Sequence, residues 1–196
     1  MRNEELQRAS QKFLERYAQF ASHMLTLTMR DHISISPTRQ RGLLASSCDN
    51  GWDISEHAAR DAVRYFITRL NHQIFGRRSS KLATKSKCRI IAIPIIEGLR
   101  SYKRTHVHIL IGNIPPAKLE NLQEIISATW KRCSVAMSDM KLESLYDAEG
   151  AAFYLTKEVG YINDDVIDWN IASIPAVLHT QPRRLCVTKL LAELRG

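Results

Sequence analysis

Residues 25–29 read LTLTM, so that Leu25, Leu27 and Met29 alternate with Thr26 and Thr28. This period of two predicts a half-buried strand. Upstream, residues 3–22 space Leu6, Phe13, Leu14, Tyr17 and Phe20 as an amphipathic helix would, which predicts a packing arm. Downstream, residues 33–51 mix turn formers without a sustained period and read mostly as loop. The stripe Ile54, Ala58, Ala62, Phe66, Leu70 and Ile74 predicts a second helix over about 54–75, with Gly76 where a C-terminal cap is expected.

Two strand-like runs follow, CRIIAIPIIEG (88–98) and THVHILIGNI (105–114), and the short polar stretch between them predicts a hairpin. Pro94 cannot donate a ladder hydrogen bond, so the first run belongs at a sheet edge or a bulge. A third helix is predicted over about 116–132. It starts at Pro115 and Pro116 and shows Leu119, Leu122, Ile126 and Trp130 on one face. A weaker strand near 134–143 and a fourth helix over 147–161 complete the pattern.

The order β-α-β-β-α-β-α predicts an α+β fold. Its core is a ferredoxin-like or RRM-like βαββαβ(α) arrangement with a central antiparallel sheet, an N-terminal helical arm and a C-terminal extension. The expected organisation is an arm over 1–22, the main domain over 23–161, and an extension over 162–196 within the same domain. One sheet face should be covered by helices, leaving the other to hold a site.

Composition narrows the class. With 196 residues, 44% of them hydrophobic and 24% charged, the chain suits one globular domain. No stretch approaches the roughly 20 apolar residues of a membrane helix, and the first turns carry acids instead of an apolar signal core. A cytoplasmic protein is expected. Cys48, Cys88, Cys133 and Cys186 form no C-x-x-C pair, which argues against a zinc knuckle or a disulfide framework. No P-loop pattern is present, so no ATPase is built into the sequence.

The formal charge of +8 is regional: residues 33–104 hold 14 Lys and Arg against 5 Asp and Glu, a net of +9, and the remainder sums to −1. Such a field suits a polyanion. Arg39, Arg41, Arg77, Arg78, Lys81, Lys85 and Lys87 are the candidate phosphate contacts, five of them in the acid-free segment 76–89.

In a strand, residues i and i+2 share a face, so His106 and His108 project together, away from Val107 and Ile109. The hairpin brings Glu97 from the end of one run beside the start of the next. Two imidazoles and a carboxylate form a mixed N/O set suited to Mn²⁺ or Mg²⁺, with Zn²⁺ not excluded by affinity. In the fourth helix, Tyr154, Lys157 and Glu158 fall on one face, opposite Ala152, Leu155 and Val159. A tyrosine with a pKa of ~10 is about one part in a thousand ionised at neutral pH, so an adjacent ammonium would favour the phenolate. Glu158 is a further candidate ligand, or else a partner in a surface pair.

The segment His106-Val107-His108 followed by Tyr154-Leu155-Thr156-Lys157 resembles the HUH endonuclease superfamily. LTLT at 25–28 is similar to the first conserved strand of its rolling-circle replication initiators, and Glu97 matches the place of a third metal ligand. The resemblance covers roughly residues 24–161. It implies metal-dependent cleavage of single-stranded DNA at an origin or hairpin site, with Tyr154 as nucleophile and Lys157 as its helper. The products would be a 5′-phosphotyrosine and a free 3′-hydroxyl, and strand separation would fall to a separate helicase. Tyr161 is the candidate second tyrosine, at a wider spacing than the usual two-tyrosine arrangement. Conjugative relaxases of the same superfamily carry the nucleophile before the histidines, where Tyr17 sits, but Tyr17 belongs to a helix stripe.

Transposases share the core chemistry and remain an alternative. So does a non-enzymatic RRM-like module for single-stranded nucleic acid, although its strands should carry aromatic residues and these carry none. A 2H phosphoesterase would need two H-x-[ST] motifs, and only His32-Ile33-Ser34 fits.

Overall fold

The computed structural model describes residues 2–30, 32–33, 52–53, 55–81, 87–99, 104–157, 159, 167–168 and 170–175. In chain order the elements are α1 (Arg2–Ala18), β1 (Ala21–Met29), the short strands β2 (His32–Ile33) and β3 (Trp52–Asp53), α2 (Glu56–Phe75), a 3-10 turn (Gly76–Ser79), β4 (Ile91–Glu97), β5 (His106–Gly112), a single turn α3 (Pro116–Leu119), α4 (Leu122–Trp130), β6 (Ala136–Ser144) and α5 (Ala148–Leu155). The main sheet runs β4-β5-β1-β6, and every neighbouring pair is antiparallel. β5 thus lies between β4 and β1, and β1 between β5 and β6. That is the ferredoxin-like split βαβ order expected from the sequence.

Local chemistry sets the element ends. Ser55 accepts the Ala58 N–H at 3.1 Å at the start of α2, and Gly76, at φ 60°, ends that helix with its N–H on the His72 carbonyl. Asp147 caps α5 through the Gly150 N–H at 2.9 Å. The helix ends at Leu155, short of the predicted 161, and the Thr156 hydroxyl donates to the Ala152 carbonyl at 2.9 Å. The predicted 116–132 helix is broken into α3 and α4 at Glu120–Asn121, and the N-terminal helix ends at Ala18 because β1 begins at Ala21 to pair along β5.

Each sheet face has its own core. On the first, Leu25, Leu27, Val107, Ile109 and Ile111 meet α2 and α4, where Phe66 and Trp130 pack edge to face with centroids 5.6 Å apart. On the second, Ile91, Ile93, Ile95 and Leu110 meet Leu14, Tyr17 and Ala18 of α1 and Ala152 and Leu155 of α5. The expectation of an open second face is therefore corrected: α1 and α5 close much of it, because their apolar stripes need a surface to bury. β4 is buried on both faces, which accounts for its unbroken apolar run. It is also the edge strand that Pro94 requires. Its outer side is met by Ser173, which exchanges backbone hydrogen bonds with Ala92 at 2.8 Å, and by Asp168, whose N–H reaches the Pro94 carbonyl at 3.3 Å. Arg60 of α2 holds Asp168 in an ion pair at 2.6 Å, tying part of the C-terminal segment to the domain. No helix among the described residues is long and apolar enough to cross a membrane.

Candidate metal centre

Register builds the site. Glu97 ends β4 directly opposite His106, the first residue of β5, and His108 lies opposite Thr26 of β1. Directly opposed residues share a face, so Glu97, His106, His108 and Thr26 gather on the face shared with α1 and α5. Gly98, at φ 90°, turns the chain immediately afterwards. A β carbon there would stand 2.7 Å from the Arg104 carbonyl, so glycine is needed for the close approach.

That carbonyl has a second task. It accepts the Nδ1–H of His106 at 2.9 Å, which leaves His106 Nε2 facing Glu97 Oε2 at 3.3 Å. His108 is held by a hydrogen bond between its Nδ1 and Thr26 Oγ1 at 2.9 Å, and its Nε2 stands 3.9 Å from the same carboxylate oxygen. Both imidazoles are thus anchored through Nδ1 and point Nε2 inward, the arrangement that outer hydrogen bonds give to metal-ligating histidines.

The donor set fits a small divalent ion. One ligand atom from each of Glu97, His106 and His108 can be chosen so that all lie within 4.8 Å of one another. Two ligands at about 2.1 Å from a common ion can be at most about 4.2 Å apart, which the two Glu97 distances satisfy. Glu97 is 4% exposed, and its Oε1 has no hydrogen-bond partner among the described residues. A buried carboxylate oxygen left in that state is costly unless a cation meets it.

Electrostatics hold the carboxylate charged. Burial pushes the Glu97 pKa up, but the hydrogen bond with His106 and the charges of His108, Lys157 and His106 outweigh it and keep the group below its ordinary value. His106 is shifted the other way. The Glu97 hydrogen bond raises its pKa, burial opposes this, and the Arg104 carbonyl and the Glu97 charge add to the rise.

Tyr154 and Lys157 meet this group. Lys157 Nζ lies 3.6 Å from Glu97 Oε2 and 3.8 Å from the centroid of the Tyr154 ring. The Tyr154 ring stands edge-on to His108 with centroids 5.8 Å apart, and 45% of the residue remains exposed. Lys157 follows the end of α5 instead of lying within it. The tight turn keeps the i to i+3 relation, with the Lys157 N–H on the Tyr154 carbonyl at 3.3 Å, so the two side chains still stack. Gln7 of α1 donates to the Thr156 carbonyl at 3.1 Å and steadies this turn from the facing helix.

Of the predicted phosphate contacts, Lys87 lies away from the centre. Gly112 opposite Ile91 marks the other end of the β4–β5 ladder from Glu97 and His106, about 20 Å away at 3.3 Å per residue. The segment with Lys87 is fastened at that far end, where Asn113 donates to the Lys87 and Arg89 carbonyls. Arg77, Arg78 and Lys81 are exposed and follow the C-terminus of α2. Arg39, Arg41, Lys85, Glu158 and Tyr161 lie outside the described residues. The helix continuation that would have carried Tyr161 beside Tyr154 stops at Leu155. Tyr17 is buried against Phe13 in the second core, in keeping with its helix stripe.

The chain matches no protein-family model, no curated protein and no solved structure. The functional reading therefore rests on the site.

Proposed function

We propose that this protein is a single-tyrosine HUH endonuclease of the rolling-circle initiator type, nicking and rejoining single-stranded DNA of a plasmid, phage or other mobile element in the cytoplasm. The observation that carries this reading is the meeting of Lys157 with both Glu97 and Tyr154. It links a candidate nucleophile to a candidate metal centre through Lys157 and Glu97, sixty positions apart in sequence.

The chemistry follows from the parts. The Tyr154 oxygen attacks the scissile phosphorus as its phenolic proton passes to solvent. The bond from phosphorus to the 3′-oxygen breaks, and that oxygen takes up a proton from water. The products are a 5′-phosphotyrosine and a free 3′-hydroxyl, with no net hydrolysis, so the reverse attack rejoins the strand. Lys157 places positive charge over the ring where phenolate charge develops. A divalent ion such as Mn²⁺ or Mg²⁺, held by Glu97, His106 and His108, supplies Lewis acidity at the scissile phosphate when bound. Strand separation is left to a separate helicase.

The test is a covalent one. Purified protein with Mn²⁺ and a library of labelled single-stranded oligonucleotides is expected to give an adduct stable in detergent, which Tyr154→Phe abolishes while DNA binding persists. Binding across the library with no adduct would reject the endonuclease in favour of a non-enzymatic single-strand-binding module. An adduct that survives Tyr154→Phe would move the nucleophile elsewhere.

A further inference from the structure

We infer that Thr26 is a positioning residue of the metal centre, holding the His108 ring by its Nδ1 so that Nε2 faces the ion. The inference rests on reading Glu97, His106 and His108 as that centre, and it explains the polar half of LTLTM.

β1 divides its residues cleanly. Leu25, Leu27 and Met29 are fully buried in the first core, whereas Thr26 and Thr28 lie on the opposite face, across from His108 and His106. The two threonines are equivalent by pattern but not by contact. His106 has its Nδ1–H on the Arg104 carbonyl, an anchor built from backbone. His108 has its Nδ1 on the Thr26 hydroxyl, an anchor built from a side chain.

A neutral imidazole carries one N–H, and the nitrogen without it is the ligand. A proton on His108 Nδ1 meets Thr26 Oγ1 at 2.9 Å, well within hydrogen-bond range. A proton on Nε2 would face Glu97 Oε2 from 3.9 Å, beyond that range, and would block coordination. A hydroxyl can also donate to a bare Nδ1, so Thr26 holds the ring by Nδ1 in either tautomer and keeps Nε2 toward Glu97, and it accepts the Nδ1–H once Nε2 ligates. Because threonine is β-branched and stiff at χ1, it also holds the ring plane.

The experiment compares Mn²⁺ titration calorimetry on the full chain with ¹⁵N NMR of its histidine rings, recorded metal-free. Thr26→Val, which keeps the shape and deletes the hydroxyl, is expected to weaken Mn²⁺ binding about 10- to 100-fold, with Thr26→Ser and Thr28→Val staying within about 3-fold of the wild type. In the same samples the His108 ring signals, assigned by their loss in His108→Gln, should match the wild type in Thr26→Ser and move in Thr26→Val, where the hydrogen bond to Nδ1 is gone. Thr26→Ala provides a second hydroxyl deletion, with circular dichroism confirming the fold of each variant. Wild-type affinity and unchanged His108 ring signals in folded Thr26→Val and Thr26→Ala would overturn the inference while leaving the metal centre standing. A wild-type titration as flat as that of Glu97→Gln would remove the metal centre itself, and the inference with it.

Discussion

The two faces of strand β5 divide its side chains between different uses. Toward α2 and α4 it sends Val107, Ile109 and Ile111 into a core built of apolar side chains. Toward α1 and α5 it sends Leu110 into a second apolar cluster, and then His106 and His108 beside a buried carboxylate. The polar group is therefore set at the rim of a core instead of on an open surface. Burial alone pushes the Glu97 pKa up, and the hydrogen bond with His106 together with the charges around it reverses that tendency. The lesson is that α1 and α5 do more than cover apolar strands. Their packing brings Lys157 to Glu97 and limits access by water, while Tyr154 stays exposed enough to meet a substrate.

If the faces are separate in this way, damage to each should register in a different measurement. The largest effect is expected on the second face. Tyr154→Phe should lower adduct formation by at least about a thousandfold in a gel-shift assay under denaturing conditions, with a melting temperature close to that of the wild type. On the first face Phe66→Ala should behave in the opposite sense. Loss of the ring against Trp130 should cost about 3–5 kcal/mol in urea unfolding, and activity should follow the folded fraction alone. Equal loss of chemistry per folded molecule in Phe66→Ala would end the division between the faces.

Lys157→Met should slow single-turnover cleavage by about a hundredfold, the scale of one lost transition-state contact, and leave oligonucleotide affinity within a few-fold. An unchanged rate would reduce Lys157 to a structural partner of Glu97. The smallest effect concerns pH in the metal-free protein. His106 is raised above its ordinary 6.5, so its stabilising contribution is complete below that value and is lost as pH rises through the higher folded-state pKa. Glu97 is lowered below its ordinary 4.5, so its contribution is present above that value and is lost as pH falls through the lower folded-state pKa. The thermal stability lost in His106→Gln should accordingly be greatest between pH 4.5 and 6.5 and shrink in alkali. A difference that is flat across this range in differential scanning fluorimetry would show that the pair is not coupled in solution.

Much of this was legible in the chain because local patterns encode local periods. The alternation of LTLTM, the apolar stripe of α2 and the paired histidines each name an element and a face, and their order names the split βαβ topology. Boundaries were harder. The apolar stripe Ala152, Leu155 and Val159 runs on past Leu155, where α5 ends, because a stripe reports which face is buried and not where the helix stops. The burial of β4 on both faces could be suspected from its continuous apolar run, but not which elements supply the second cover.

The sequence by itself determined that His106 and His108 share a face, that Tyr154 and Lys157 lie one turn apart, and that Pro94 belongs at an edge or a bulge. These follow from backbone geometry, which acts over a few residues. Only the tertiary structure decided that Thr26 holds His108, that α1 and α5 close the second face, and that Lys87 sits at the far end of the sheet from Glu97. Those are matters of strand register and helix docking. Both are set by how distant apolar surfaces bury one another, a sum over the whole chain that no short window contains.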